Sequence, residues 1–209
     1  TALLKLSASI SMAIAAIENA CLDLQAKAAG VPVHALFGGP FRDRVELYWT
    51  HCGSFRVLHG AVFERVLGTP PLRTLDDVVA LGREVVARGF RAAKTNPLVF
   101  EANHDRGARM VNAGFRMTPG FLDRVPDVQV VSAIEDQLAA FRQGLGPQAG
   151  LMLDLNFSQR PEGWRRYARA AEPFDLSWLE LDTPDADALA ALRASVQVPI
   201  ASLESCFGL

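Results

Sequence analysis

An α/β fold of parallel strands alternating with helices is what this sequence predicts, and two observations carry the prediction. Three short apolar runs each close on a single carboxylate: Leu151-Met152-Leu153-Asp154, Leu176-Ser177-Trp178-Leu179-Glu180 and Val198-Pro199-Ile200-Ala201-Ser202-Leu203-Glu204. Runs of this length suit strands buried on both faces, which read as continuous apolar stretches rather than alternations. The second observation is their spacing. The acids follow one another at 26 and then 24 residues, the length of one strand, loop and helix in a parallel β/α unit. Strands connected in this way lie side by side and bring their C-terminal ends to one edge. Two earlier strand-like segments raise the count to about five, the pattern of a partial (β/α) TIM-type barrel preceded by a helical part.

Taken in order, Ser9 to Ala29 carries Ile10, Ala13, Ile14, Ile17, Cys21, Leu24 and Ala28 at three- and four-residue steps, the signature of a helix with one buried stripe. Gly30 stops it, Val31-Pro32 prevents its continuation, and Val33 to Phe37 is expected as a short second helix before Gly38-Gly39-Pro40. Residues 1–43 therefore read as a helical unit and 44–209 as an incomplete barrel unit. Arg44 to Trp49 is aromatic and β-branched enough for a first strand, which delivers His51 and Cys52 to its far end. Residues 53–73, broken by Gly53, Gly60, Gly68 and Pro70-Pro71, read as an irregular loop. A helix follows over 75–88, with Thr74 as N-cap and Asp76 and Asp77 in the favourable first turn. Phe90 to Lys94 is expected as the second strand. From 98 to 127 no period persists, and a loop of that length inside a compact domain points to function or disorder. Helices over 130–145, 161–171 and 186–195 complete the alternation.

Half of the residues are apolar and the net charge is −2, so nothing in the electrostatics favours nucleic acid or an anionic membrane. A small-molecule partner fits better. Three scattered cysteines, Cys21, Cys52 and Cys206, form neither a disulfide framework nor a Cys-rich zinc site, and a cytoplasmic location is expected. No apolar stretch is long enough to cross a bilayer. The chain opens at Thr1 and stops five residues past Glu204, which reads as an internal fragment, expected to be inactive alone.

If the strands share one barrel, their C-terminal ends bring together His51, Lys94, Asn96, Asp154, Asn156, Glu180 and Glu204. Three carboxylates at one edge repel one another unless a hard divalent cation lies between them, and an oxygen-rich site suits Mg²⁺. A divalent ion there can bind a substrate carboxylate and hold the charge that develops when the neighbouring C–H loses its proton. A lysine beside the ion favours the same charge, and its pKa is expected to fall. The combination points to enolate chemistry. Asp182 and Asp185 read as loop or helix-start residues, and the cysteines as core or incidental.

The order of motifs resembles the mandelate racemase and muconate lactonizing branch of the enolase superfamily. The resemblance is carried by Ala16-Ile17-Glu18-Asn19-Ala20-Cys21-Leu22-Asp23, Gly30-Val31-Pro32-Val33, Leu36-Phe37-Gly38-Gly39 and Arg42-Asp43-Arg44. Downstream it continues through Gly89-Phe90-Arg91-Ala92-Ala93-Lys94-Thr95-Asn96, Leu153-Asp154-Leu155-Asn156, Trp178-Leu179-Glu180 and Ser202-Leu203-Glu204-Ser205. It implies that residues 1–43 are the helical part of an α+β capping domain and that Asp154, Glu180 and Glu204 are Mg²⁺ ligands. Lys94 matches the first lysine of the family's Lys-x-Lys pair, near the substrate carboxylate, and Asn156 matches a polar residue close to metal and substrate. The second lysine is replaced by Asn96, which disfavours a two-base racemase and matches acid-sugar dehydratases in which the asparagine binds a hydroxyl.

The reaction so implied is Mg²⁺-dependent removal of the proton beside a carboxylate, through an enediolate, with loss of a β-hydroxyl as water. The partner is a small carboxylate substrate, an acid sugar, and the full-length protein is expected to be a homo-oligomer. Racemisation or epimerisation on the same fold, and a non-catalytic binding or assembly subunit, are the alternatives. His51 is a further substrate-side candidate. Lys94 and Asp154 lie 60 residues apart, and the excess falls in 98–127, where Arg109 and Arg116 are expected to line the substrate pocket.

Overall fold

The computed structural model describes residues 2–101, 107–111, 125–157, 159–183, 185–202 and 204. They fall into two compact units, one reaching to Glu46 and the other spanning Leu47–Glu204.

The first unit holds helix α1 (Ala2–Ala29) and a 3-10 turn (Val33–Phe37). Gly38 follows the turn in the left-handed conformation at φ 96°, which a side chain would resist. The helix forms where the period predicts it, but the stripe is not buried: Ile10, Ile14, Ile17 and Leu24 are 52–67% exposed, and among the helix residues whose burial is described only Ala26 is buried. Periodicity is a local property. Burial needs a covering element, which no period encodes.

In the second unit the chain forms α2 (Ser54–Leu58), α3 (Gly60–Leu67), α4 (Leu75–Ala87), β1 (Ala92–Thr95), β2 (Leu98–Phe100), β3 (Ala108–Met110), α5 (Val128–Leu145), β4 (Gly150–Asp154), α6 (Pro161–Ala171), β5 (Trp178–Glu180), α7 (Ala186–Arg193) and β6 (Ile200–Ala201). Strands β1, β4, β5 and β6 make one parallel sheet in that order. The expected first strand contributes a single parallel bridge, Trp49 to Ala93. Residues 53–73 are not a plain loop, since α2 and α3 lie within them. The 98–127 segment is likewise not featureless: β2 and β3 pair antiparallel, Leu98 opposite Met110 and Phe100 opposite Ala108.

Local chemistry sets the helix starts. Thr74 accepts from the N–H of Asp77, whose carboxylate in turn accepts from the N–H groups of Arg73 and Thr74 at 2.9 Å, a capping box that opens α4. Asp127 and Asp185 cap α5 and α7 in the same sense, through the N–H groups of Val130 and Ala188. Helices α4 and α5 cross closely at glycine, where a Cβ on Gly82 would lie 2.9 Å from the Gly144 backbone. Their inner faces carry Val78, Leu81, Val85, Ile134, Leu138 and Phe141, which join Leu151, Leu153, Leu179 and Tyr167 in one core. Each such fully buried apolar side chain contributes about 1.5–3 kcal/mol relative to exposure. This core fixes the strand ends on which the polar residues stand.

Candidate active site at the strand ends

Register brings the predicted residues to one edge. Asp154 lies opposite Glu180 in adjacent strands, and Lys94 lies opposite Met152, so that two acids close β4 and β5 and a lysine stands one residue before the end of neighbouring β1. The Lys94 ammonium donates to Glu180 Oε2 at 2.9 Å and lies 3.2 Å from Asp154 Oδ2. Trp178 Nε1 donates to the same Glu180 oxygen at 3.2 Å, and the N–H of Asn156 donates to Asp154 Oδ1 at 2.8 Å. Lys94 also lies 5.9 Å from the Tyr48 ring centre, within cation–π range.

Among the protein groups alone, the Lys94 pKa is raised. Burial alone would depress it, but the hydrogen bond that Lys94 donates to Glu180 and the Asp154 and Glu180 charges outweigh that effect. Lys94 is therefore a cation at neutral pH.

Glu204 stands on the far side of the sheet edge. Its N–H donates to Asp182 Oδ1 at 2.8 Å, and Glu180, Asp182 and Glu204 can each place one oxygen within 4.8 Å of the others. Partial burial, followed by repulsion from Asp182, Asp154 and Glu180, raises the Glu204 pKa, with Lys94 opposing. Asp182 lies in the loop after β5, as its position suggests, but it is 6% exposed and stands among the acids. The Glu-x-Asp spacing after β5 returns a second carboxylate to the same edge.

The donor set fits Mg²⁺. It consists of hard carboxylate oxygens, crowded enough to raise one pKa, with no sulfur or imidazole among the three grouped acids. Glu180, Asp182 and Glu204 are the grouped acids able to hold such an ion, and Asp154, expected from the sequence as the third ligand, is not among them.

The remaining candidates differ in their surroundings. Asn156 has φ 56° and a buried Nδ2 without a hydrogen-bond partner among the described residues. Asn96 is 1% exposed and its amide is engaged by protein groups, its Nδ2 donating to the Asp154 carbonyl at 3.0 Å and its Oδ1 accepting from Ser54 Oγ at 2.7 Å. His51 Nδ1 lies 3.3 Å from the same Oδ1. Arg109 pairs with Glu101 across the β2–β3 hairpin at 3.2 Å and is not among the partners of Lys94 or the acids. Arg116 lies outside the described residues. Burial pushes the Cys52 thiol up to about 12, with Arg56 opposing weakly and Glu84 adding, so it is inert at neutral pH.

A (β/α) sheet with its acids at the C-terminal strand ends is a frame for metal-assisted chemistry. The profile of the family "Enolase C-terminal domain-like" matches residues 77–209, and that of the mandelate racemase/muconate lactonizing enzyme N-terminal domain matches residues 1–38. The chain belongs to the mandelate racemase/muconate lactonizing branch of the enolase superfamily.

Among its relatives, a D-galactonate dehydratase family member of Streptomyces bingchenggensis is 32% identical over 193 residues, covering 90% of this chain and 43% of that protein. The D-mannonate dehydratase Caul1427 of a Caulobacter species is 24% identical, covering 82% and 39%. The solved structure of a Burkholderia xenovorans protein assigned as an L-alanine-DL-glutamate epimerase, bound to magnesium and fumarate, is 39% identical with TM-score 0.81, covering 92% and 46%. The chain thus spans less than half the length of these proteins. Among the described residues no helix is long and apolar enough to cross a membrane.

Proposed function

We propose that this chain supplies the lysine-and-acid part of the active site of an acid-sugar dehydratase, an enzyme of the hydro-lyase class. The observation that carries the proposal is the Lys94 ammonium set between Asp154 and Glu180 at the ends of adjacent strands. On the family resemblance Asp154, Glu180 and Glu204 would hold Mg²⁺, with Asp182 fixing the backbone of Glu204. When bound, Mg²⁺ supplies positive charge where a substrate carboxylate gains negative charge on loss of its α-proton.

The chain's own groups divide the remaining work. Lys94, kept protonated by its neighbours, binds and orients the substrate carboxylate and favours the same charge. It does not accept the proton. Asn156 offers its buried Nδ2 to a substrate hydroxyl, and His51 is a second polar contact. Met152, buried and on the same face of β4 as Asp154, lies beneath the acids and excludes water from the site floor. The α-proton goes to a base outside these groups and a proton returns to the leaving β-hydroxyl, so that one water is lost overall. The pocket roles of Arg109 and Arg116 belong to the same proposal.

A second reading, epimerisation, draws on the likeness to the Burkholderia protein. Incubation of the full-length protein with Mg²⁺ and a panel of acid sugars in deuterated water separates the two. Loss of one water per molecule supports the dehydratase. Deuterium at the α-carbon without loss of water supports the epimerase and overturns the leading reading, as does no reaction with any substrate.

A further inference from the structure

The end of β1 carries a buried polar network whose parts come from four segments of the chain. Asn96 Nδ2 donates to the Asp154 carbonyl at 3.0 Å. A backbone carbonyl can only accept, so this bond fixes which end of the amide is which: nitrogen toward Asp154, oxygen toward Ser54 and His51. Ser54 Oγ donates to that oxygen at 2.7 Å, and His51 Nδ1 lies 3.3 Å from it. An amide oxygen has two lone pairs and no proton. It follows that His51 Nδ1 carries the hydrogen, and in a neutral imidazole Nε2 is then the bare nitrogen.

The surroundings hold this arrangement in place. His51 has φ 48°, in the left-handed region, and its ring stacks on Phe55 at 4.6 Å between centres. The next residue, Cys52, donates its N–H to the Lys94 carbonyl at 2.8 Å, which ties His51 to the strand that bears the site lysine. From α5, the fully buried Gln137 donates to the Asn96 carbonyl at 2.9 Å and to Thr95 Oγ1 at 3.2 Å, and accepts from the Leu98 N–H at 2.8 Å. Thr95 Oγ1 passes its own hydrogen to the Cys52 carbonyl at 2.8 Å. A buried network satisfied at each of these positions is rigid.

We propose that Asn96 is a positioning residue, which locks His51 in the Nδ1–H tautomer and leaves Nε2 as the chain's acceptor nitrogen on the segment paired with Lys94. The tautomer follows from the hydrogen bonds alone. That Nε2 serves an acid-sugar hydroxyl rests on the dehydratase reading.

Long-range ¹H–¹⁵N correlation spectra of the ¹⁵N-labelled chain test it, recorded about two units above the ordinary histidine pKa near 6.5. The His51 signals are those lost in His51→Gln. A protonated, pyrrole-type shift at Nδ1 and a bare, pyridine-type shift at Nε2 are expected. Asn96→Ala should average the two nitrogens, and Ser54→Ala should leave the lock in place. An Nε2–H pattern in the unaltered chain overturns the inference even if Asn96→Ala fails to fold, and so does an unchanged pattern in a folded Asn96→Ala. Turnover of acid sugars by the full-length protein alongside an Nε2–H pattern overturns this inference and spares the dehydratase reading. A locked Nδ1–H pattern without turnover does the reverse.

Discussion

Asp77 and Glu204 are carboxylates at the ends of secondary-structure elements, and their surroundings drive them in opposite directions. At Asp77, burial pushes the pKa up, but the Arg73 and Thr74 N–H groups and the Thr74 hydroxyl outweigh it and hold the pKa below 3.8. At Glu204, partial burial and three neighbouring acids act together and raise it. The capping box meets its own charge with protein donors. The strand-end cluster gathers more negative charge than Lys94 alone offsets, which is the condition a divalent cation relieves. The pH signs are opposite as well. Asp77 contributes stability that is present above its unfolded value and lost as pH falls through its lowered folded value. Glu204 contributes stability that is lost as pH rises through its raised one.

The sharpest way to break the contrast is to remove the cation the cluster already has. Lys94→Met leaves Asp154 and Glu180 facing each other at low exposure, and a loss of about 3 kcal/mol in urea unfolding is expected. In the full-length protein the same change should lower kcat by about 10²–10³-fold. A stability change below about 0.5 kcal/mol would mean that the lysine is held by solvent instead.

Adding the missing cation should act in the other sense. Mg²⁺ at a hundredfold excess over its Kd is expected to raise unfolding stability by about 2.7 kcal/mol, reversed by a chelator. At the capping box, Thr74→Ala should cost about 1 kcal/mol and leave the Mg²⁺ response intact. The smallest effect is reserved for Asp77→Asn, which should flatten the acid limb of the stability curve below pH 3.8 and change little at neutral pH. An acid limb as steep as that of the parent would place its origin elsewhere.

The helices and the strand ends were legible in the sequence because their signals are local. Thr74 and Asp185 stand where an N-cap should, and apolar runs ending in Asp154 and Glu180 mark buried parallel strands. What was not legible depended on partners distant in the chain. Three-residue strands such as Leu98–Phe100 are too short to show a period, so the hairpin with Ala108–Met110 carries no sequence signal of its own. Residues 44–49 look like a strand by composition, yet only Trp49 is bridged to Ala93. The engagement of Asn96 by Ser54, 42 residues away, and the packing of Gln137 against the same strand end are tertiary facts. Nothing local to Asp182 distinguishes it from an ordinary loop acid. Here it meets the N–H of Glu204.

The central claim, that the strand-end acids form a divalent-cation site while the capping acids do not, is tested most directly by calorimetric titration of Mg²⁺ into the chain and into Glu180→Gln and Asp77→Asn. Saturable binding is predicted for the parent and for Asp77→Asn, with affinity lowered at least tenfold in Glu180→Gln. Equal affinity in all three, or no binding to the parent, would contradict it.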